Sequence, residues 1–234
     1  MTSISGTRVE DHRVAALLDA QAKAARLFEE IERTLIRPGV TESQLSEEIH
    51  KLAHKQFGVV THWHKRIVRA GENTLRPYKD DPADLLIAAD DILFVDLGPV
   101  FEEWEADFGR TYVLGDDPIK LRLRDNLEPV FRAVKEHFLA NQDITGEGLY
   151  QTACAFAAKA GWEFGGSIAG HLVGEFPHEY IPNDRITFFI APGNDQPIVS
   201  VDAQGQTRHW ILEIHLVDRT RSIGGFYEEL LTIG

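Results

Sequence analysis

Cysteine is all but missing from this chain. Cys154 stands alone, which excludes an intramolecular disulfide and any thiolate cage for structural zinc. It lies in Thr152-Ala-Cys-Ala-Phe-Ala-Ala158, an apolar helical run that suits a buried, inert thiol better than a nucleophile. Basic residues are short as well: 24 Lys and Arg against 37 Asp and Glu leave a formal charge of -13. With no basic stripe to displace counterions from phosphates, a nucleic-acid partner is excluded. No apolar run approaches membrane-spanning length, and Met1–Arg8 has no apolar signal core. No membrane partner is therefore expected, and a cytoplasmic location is. No Ser/Pro-rich break divides the 234 residues, so a single domain over 1–234 is expected.

What is present is an unusual placement of acids. The apolar run Ile92-Leu-Phe-Val95 delivers Asp96, and Asp107 follows after a turn and the start of a second strand. This reads as a hairpin with one carboxylate on each arm. Two carboxylates face to face in an apolar sheet repel unless a proton or a cation lies between them. His171, Glu213 and Glu228 also fall within apolar strand context. Carboxylates are averse to strands and costly to bury, so the set calls for a shared explanation unless each lies on a solvent face. Four carboxylates and one imidazole suit two divalent ions such as manganese, cobalt or zinc, with manganese favoured.

The remaining pattern is a repeat of helices followed by strands. Apolar residues at three-to-four spacing predict a helix from about Val9 to Ile36, with Gln21 the one polar break. Thr41-Glu-Ser-Gln44 is a capping box opening a helix that stops at Phe57-Gly58. His50 and His54, four apart on that helix, lack the glutamate of a zinc-protease motif and are expected on a solvated face. Val59 to Ala70 reads as a strand with His62 and His64 on one side. A second long helix spans Ile119 to Leu139, and Ile144-Thr145-Gly-Glu-Gly-Leu149 opens another, echoing Val40-Thr41-Glu-Ser-Gln-Leu45. Strands and tight turns follow, including the apolar run 186–191 and two closing strands that carry Glu213 and Glu228. Two similar halves are implied.

The order of these residues resembles the methionine aminopeptidase, aminopeptidase P, prolidase and creatinase superfamily. The pattern is nearest to its Xaa-Pro peptidase branch. That superfamily places a second aspartate eleven residues after the first, in an Asp-x-x-Arg-Thr setting, matched here by Asp96 and Asp107-Phe-Gly-Arg110-Thr111. Its Gly-His-Gly-Ile-Gly-x-x-x-His-Glu is matched by Gly170-His171-Leu-Val-Gly174-Glu-Phe-Pro-His178-Glu179, and its final glutamate by Glu228-Glu229-Leu-Leu. The resemblance implies an α+β pita-bread fold, two pseudo-symmetric halves of helices on a curved, mostly antiparallel sheet. It also implies two metal ions. Asp96 would chelate one, Asp107 and Glu228 would bridge both, and His171 and Glu213 would hold the other. Water activated by the ions would be the nucleophile, Glu213 would move its proton, and His178 would donate to the scissile carbonyl oxygen.

The sequence departs from that pattern on the substrate side. Family peptidases often carry a histidine in the loop before the hairpin, where this chain has Arg76-Pro77-Tyr78. Tyr78, His62 and His64 are therefore the candidate substrate-binding groups. The usual Glu-Pro-Gly is Glu213-Ile-His215, preceded by a polar insertion. The N-terminal domain common in prolidase-type members is not seen, so a homodimer is expected to supply the missing wall. The leading expectation is a dinuclear hydrolase of Xaa-Pro dipeptides or short peptides. The alternative is a same-fold hydrolase or lyase for a small non-peptide amide, amidine or zwitterion. A non-catalytic binding module ranks third.

Overall fold

A computed structural model describes residues 4–76, 78–177 and 186–234. The first half opens with helix α1 (Ile4–Thr34), whose stripe of Leu17, Ala20, Ala24, Leu27, Phe28 and Ile31 is buried. Gln21, the polar break in that stripe, is used: its Oε1 accepts the Leu230 backbone N–H at 2.7 Å. Helix α2 (Glu42–Phe57) starts on the Thr41/Gln44 capping box and ends on Gly58, whose φ of 69° is left-handed. Strands β1 (Ile67–Ala70), β2 (Ile92–Leu97), β3 (Val100–Phe101), β4 (Trp104–Glu105) and β5 (Phe108–Val113) follow. The second half repeats the plan. Helices α3 (Pro118–Ala140) and α4 (Gly146–Lys159, capped by Thr145) precede β6 (Glu163–Phe164), β7 (Leu172–Val173), β8 (His209–Asp218) and β9 (Ile223–Leu230). No helix among the described residues is long and apolar enough to cross a membrane.

The main sheet runs β1-β2-β5-β9-β8-β6, with β7 beside β8 and each described pairing antiparallel. Three strands of the first half thus meet three of the second at one seam, β5 against β9. Each half packs its helices mainly on its own strands, while Leu17 of α1 crosses to Val173, Ile211 and Leu230. One apolar cluster joins α1 and α2 to β2 and β5, and another joins α3 and α4 to β8. This is the pita-bread architecture.

Two stretches differ from the sequence reading. Residues 59–66 are not strand; only Ile67–Ala70 is, and the segment ahead of it is tied to the hairpin by an isolated bridge from His62 to Pro99. Strict alternation therefore does not apply, and His62 and His64 do not share a face. The apolar run after residue 185 forms a 3-10 turn over Ile186–Phe188, and Phe188, Ile190 and Ala191 are buried from it without a ladder. His54 is exposed as expected, but His50 turns inward, its ring 6.0 Å from that of His62. Cys154 is half-buried on α4, and burial raises its thiol pKa.

The seam has one ladder pair, Gly109 opposite Glu228, and is held by side chains instead. Thr111 Oγ1 donates to the Phe226 carbonyl at 2.9 Å and accepts the Phe226 N–H at 2.7 Å. The Arg110 guanidinium lies 3.8 Å from the centre of the Phe108 ring and 3.9 Å from that of Tyr227, and pairs with Glu229. Thr111→Val keeps the shape and strands two buried backbone groups of Phe226. It is expected to cost about 1–3 kcal/mol, read as a lowered denaturation midpoint with an unchanged slope.

Candidate metal centre

Strand register builds the centre. Asp96 on β2 is opposite Gly109 on β5, Gly109 is opposite Glu228 on β9, and Glu228 is opposite Glu213 on β8. Residues paired across antiparallel strands point to the same face, so the three carboxylates form one row. Gly109 keeps the gap in that row open: a Cβ there would lie 2.5 Å from the Phe226 ring and 3.1 Å from Glu228 Cβ. Asp107, one residue ahead of β5, reaches into the same space. His171, just before β7, places Nε2 2.9 Å from Asp107 Oδ2, 3.6 Å from Glu213 Oε1 and 3.8 Å from Glu228 Oε1. From the other side, His64 Nε2 lies 3.1 Å from Asp107 Oδ1 and 3.5 Å from Asp96 Oδ1. The next row on the same face is largely apolar, with Phe94 and Phe226 rings 5.4 Å apart. His215 closes it, its Nε2 at 2.8 Å from the Thr74 carbonyl and its pKa lowered to about 4 by burial.

Burial governs the charges. It raises Asp96 to about 7 and Glu213 to about 8, and lifts Glu228 well above the usual carboxylate range. Asp107 is the exception: burial opposes its charge, but His64 and His171 outweigh it and hold its pKa low. Burial also opposes charge on His64, yet Asp107 and Asp96 hold it at about 9, and His171 is raised likewise by Asp107 and Glu228. Three of the four carboxylates are thus pushed towards their protonated forms because burial outweighs the positive charge that faces them.

The donor set fits divalent cations. Asp96 Oδ1 and Glu228 Oε2 are buried without a hydrogen-bond partner among the described residues. Glu42 provides the contrast. This buried carboxylate, which the sequence reading passed over, accepts from the Ala70 N–H, Asn73 Nδ2 and the Leu85 N–H, and so serves to tie β1 and the following loop to α2. Orphaned carboxylate oxygens converging with imidazole nitrogens are the donors manganese, cobalt or zinc would use.

The structure brings together Asp96, Asp107, His171, Glu213 and Glu228, and adds His64. It does not bring His62, whose Nε2 is buried without a partner among the described residues and whose pKa falls to about 4 through burial and the Arg66 charge. Tyr78 stands at the rim, 49% exposed, its ring 6.0 Å from that of His64 and 4.9 Å from Lys65 Nζ. His178 lies outside the described residues. Trp63 was not foreseen; its ring is 4.5 Å from His64 and 5.1 Å from His171, both edge-on, and Nε1 donates to the Ala106 carbonyl. The small residue Gly98, two positions past Asp96, was the available signal, since a Cβ there would collide with the Trp63 and His64 rings.

Residues 15–204 match the model of metallopeptidase family M24. The chain belongs to that family. The Xaa-Pro dipeptidase of Lactobacillus delbrueckii subsp. lactis is 28% identical over 163 residues, covering 68% of this chain and 41% of its own length. Recombinant prolidase from Thermococcus sibiricus superposes with a TM-score of 0.72 at 20% identity, covering 96% of this chain and 57% of that one. X-Pro aminopeptidase from Thermotoga maritima MSB8 gives 0.71 at 21% identity, covering 97% and 65%. The chain therefore spans less than two thirds of the length of these relatives. At such identities the structural likeness establishes the fold.

Two outcomes follow for this M24 chain. Asp107 faces donors from both halves, so Asp107→Ala is expected to abolish uptake of divalent ions in calorimetric titration; undiminished uptake would remove it from the centre. The second outcome concerns pH. Asp96, Glu213 and His64 all bind protons more tightly when folded than their ordinary values of 3.8, 4.5 and 6.5. Their contribution is present at low pH and is lost as pH rises through about 7, 8 and 9. The melting temperature of chelator-treated protein should fall across that window, and added manganese should reverse the trend because metal binds the deprotonated ligands. A flat or rising profile in the metal-free protein would contradict this.

Proposed function

We propose that the chain is a dinuclear metal-dependent hydrolase of the Xaa-Pro aminopeptidase or dipeptidase type, cleaving an amide in short peptides. The observation that carries this reading is Asp107. It is buried, shared by two potential donor clusters, and flanked by the orphaned oxygens of Asp96 and Glu228. Asp96, Asp107, His171, Glu213 and Glu228 would hold two ions of manganese, cobalt or zinc. Such ions, when bound, lower the pKa of water and polarise a carbonyl. Glu213, in the carboxylate row opposite Glu228, would take a proton from the attacking water and return it to the leaving amine. His178 donates to the carbonyl oxygen as charge develops there, a contribution of about 3 kcal/mol. Trp63, wedged against both imidazoles, keeps bulk water from that side. A homodimer in the cytoplasm is the working assembly, and sedimentation at assay concentration reads its subunit count.

Tyr78 favours a second reading. A phenol where family peptidases often have an imidazole suits a hydrolase or lyase acting on a small non-peptide amide, amidine or zwitterion. Metal-loaded protein assayed on Xaa-Pro dipeptides, Xaa-Pro-Yaa tripeptides and small amidines separates the two. Peptide turnover dependent on manganese or cobalt is expected, and turnover confined to the non-peptide panel would transfer the chain to the second reading. A protein that takes up no divalent ion would be a binding module instead. His178→Ala is expected to keep its metal and lose about 100-fold or more in kcat; loss of metal would make His178 a ligand.

A further inference from the structure

Each half of the fold brings two carboxylates to the centre, Asp96 and Asp107 from the first, Glu213 and Glu228 from the second. The second half also brings His171. The first half brings His64, and the two imidazoles are held alike. His64 Nδ1 lies 2.7 Å from the carbonyl oxygen of Lys65, and His171 Nδ1 lies 2.8 Å from that of Leu172, in each case the next residue. A carbonyl oxygen only accepts, so Nδ1 carries the proton in both rings, and the lone pair of each neutral imidazole is on Nε2. Those lone pairs address one carboxylate from opposite sides, His64 at Asp107 Oδ1 and His171 at Asp107 Oδ2, at 3.1 and 2.9 Å. A neutral ring would set acceptor against acceptor at such distances, so each contact is closed by a second ring proton on Nε2 or by a metal ion in its place. Protonating His64 Nε2 would answer Asp107 but leave Asp96 Oδ1, 3.5 Å away, still without a hydrogen bond. A ring whose other nitrogen donates to a backbone carbonyl is also the arrangement that orients metal-binding histidines.

We propose that His64 is a sixth protein ligand of the metal centre, acting with Asp96 and Asp107 as the first-half counterpart of His171. The donor atoms of His64, Asp96 and Asp107 lie within 4.8 Å of one another. The fold is shaped to admit the ring. A Cβ on Gly98 would lie 2.2 Å from His64 Cδ2 and 2.4 Å from Trp63 Nε1. The Trp63 N–H donates to the Gly98 carbonyl at 2.9 Å, pinning the segment where it crosses the hairpin. The imidazole that results is 7% exposed. The inference rests on the dinuclear reading above and deepens it. Each ion then has one imidazole, and the Asp96 side changes from an all-oxygen to a mixed nitrogen–oxygen set. That moves its preference from manganese towards cobalt and zinc.

Proton NMR of the cobalt-loaded protein tests this, because a histidine that ligates cobalt through Nε2 shows its Nδ1–H as a hyperfine-shifted, solvent-exchangeable resonance. Two such resonances are expected. His64→Ala should remove one and His171→Ala the other, and Gly98→Ala, which displaces the His64 ring while retaining it, should also remove the first. The count in the unaltered protein decides even where a variant fails to fold. Cobalt bound with a single resonance that survives His64→Ala would overturn the His64 assignment and leave the dinuclear reading standing. No cobalt uptake by the unaltered protein would overturn both.

Discussion

The seam between β5 and β9 is the constraint on which the centre depends. Asp107 and the open position at Gly109 belong to one side of it, Glu228 to the other, and only one ladder pair spans it. A slip of one residue would turn Glu228 to the helical face and bring Glu229 in, because side chains alternate along a strand. Thr111 and Arg110 prevent that slip, one by exchanging two hydrogen bonds with Phe226, the other by pairing with Glu229 between two aromatic rings. The Arg-Thr that follows Asp107 in sequence is thus part of the register rather than of the chemistry. Asp107 and Glu228 are adjacent because the residues beside them are stitched.

Register brings the acids together, and the surroundings set their charge state. Ile67, Phe94 and Phe226 form an apolar cluster on the same face, and His215 is kept neutral beside it. Water that would solvate the carboxylates is replaced by rings, so the row is under-compensated by its own two imidazoles. Ions bound there would relieve repulsion that the metal-free fold relieves with protons. Binding energy at such a centre is then partly folding energy, and it acts on the seam that joins the two halves.

Much of this was legible in the sequence, and what was not has a local cause. The amphipathic stripe of α1, the Thr41 capping box and the Gly58 stop are short-range signals that tertiary contacts did not override. The hairpin of Asp96 and Asp107 was legible because turn and strand lie within one stretch. Glu213 was read from its apolar strand, and the register opposite Glu228 places it in the row. The stretch 59–66 was misread because its β-like composition is not matched by a ladder; a single bridge and the Trp63–Gly98 hydrogen bond fix it. With alternation gone, the pairing of His62 with His64 dissolves. His62 turns to His50 and His64 to the carboxylates, a division set by how close the hairpin backbone passes at Gly98.

That division bears on what the first half can offer a substrate. An imidazole whose Nδ1 is engaged by the Lys65 carbonyl and whose Nε2 faces Asp96 and Asp107 has no free donor or acceptor left. His62, buried against His50, offers none towards the centre either. Among the described residues, the Tyr78 phenol stands at the rim, beside Lys65 Nζ. Burial, together with the negative charge of Asp96 and Asp107, raises its pKa above the ordinary value of 10.0, so it stands there as a neutral hydroxyl that both donates and accepts. An imidazole in that place could switch charge near neutral pH; a phenol does not. Tyr78 therefore keeps one charge state across this range, and under the proposed hydrolysis the first-half rim would contribute orientation without changing its charge.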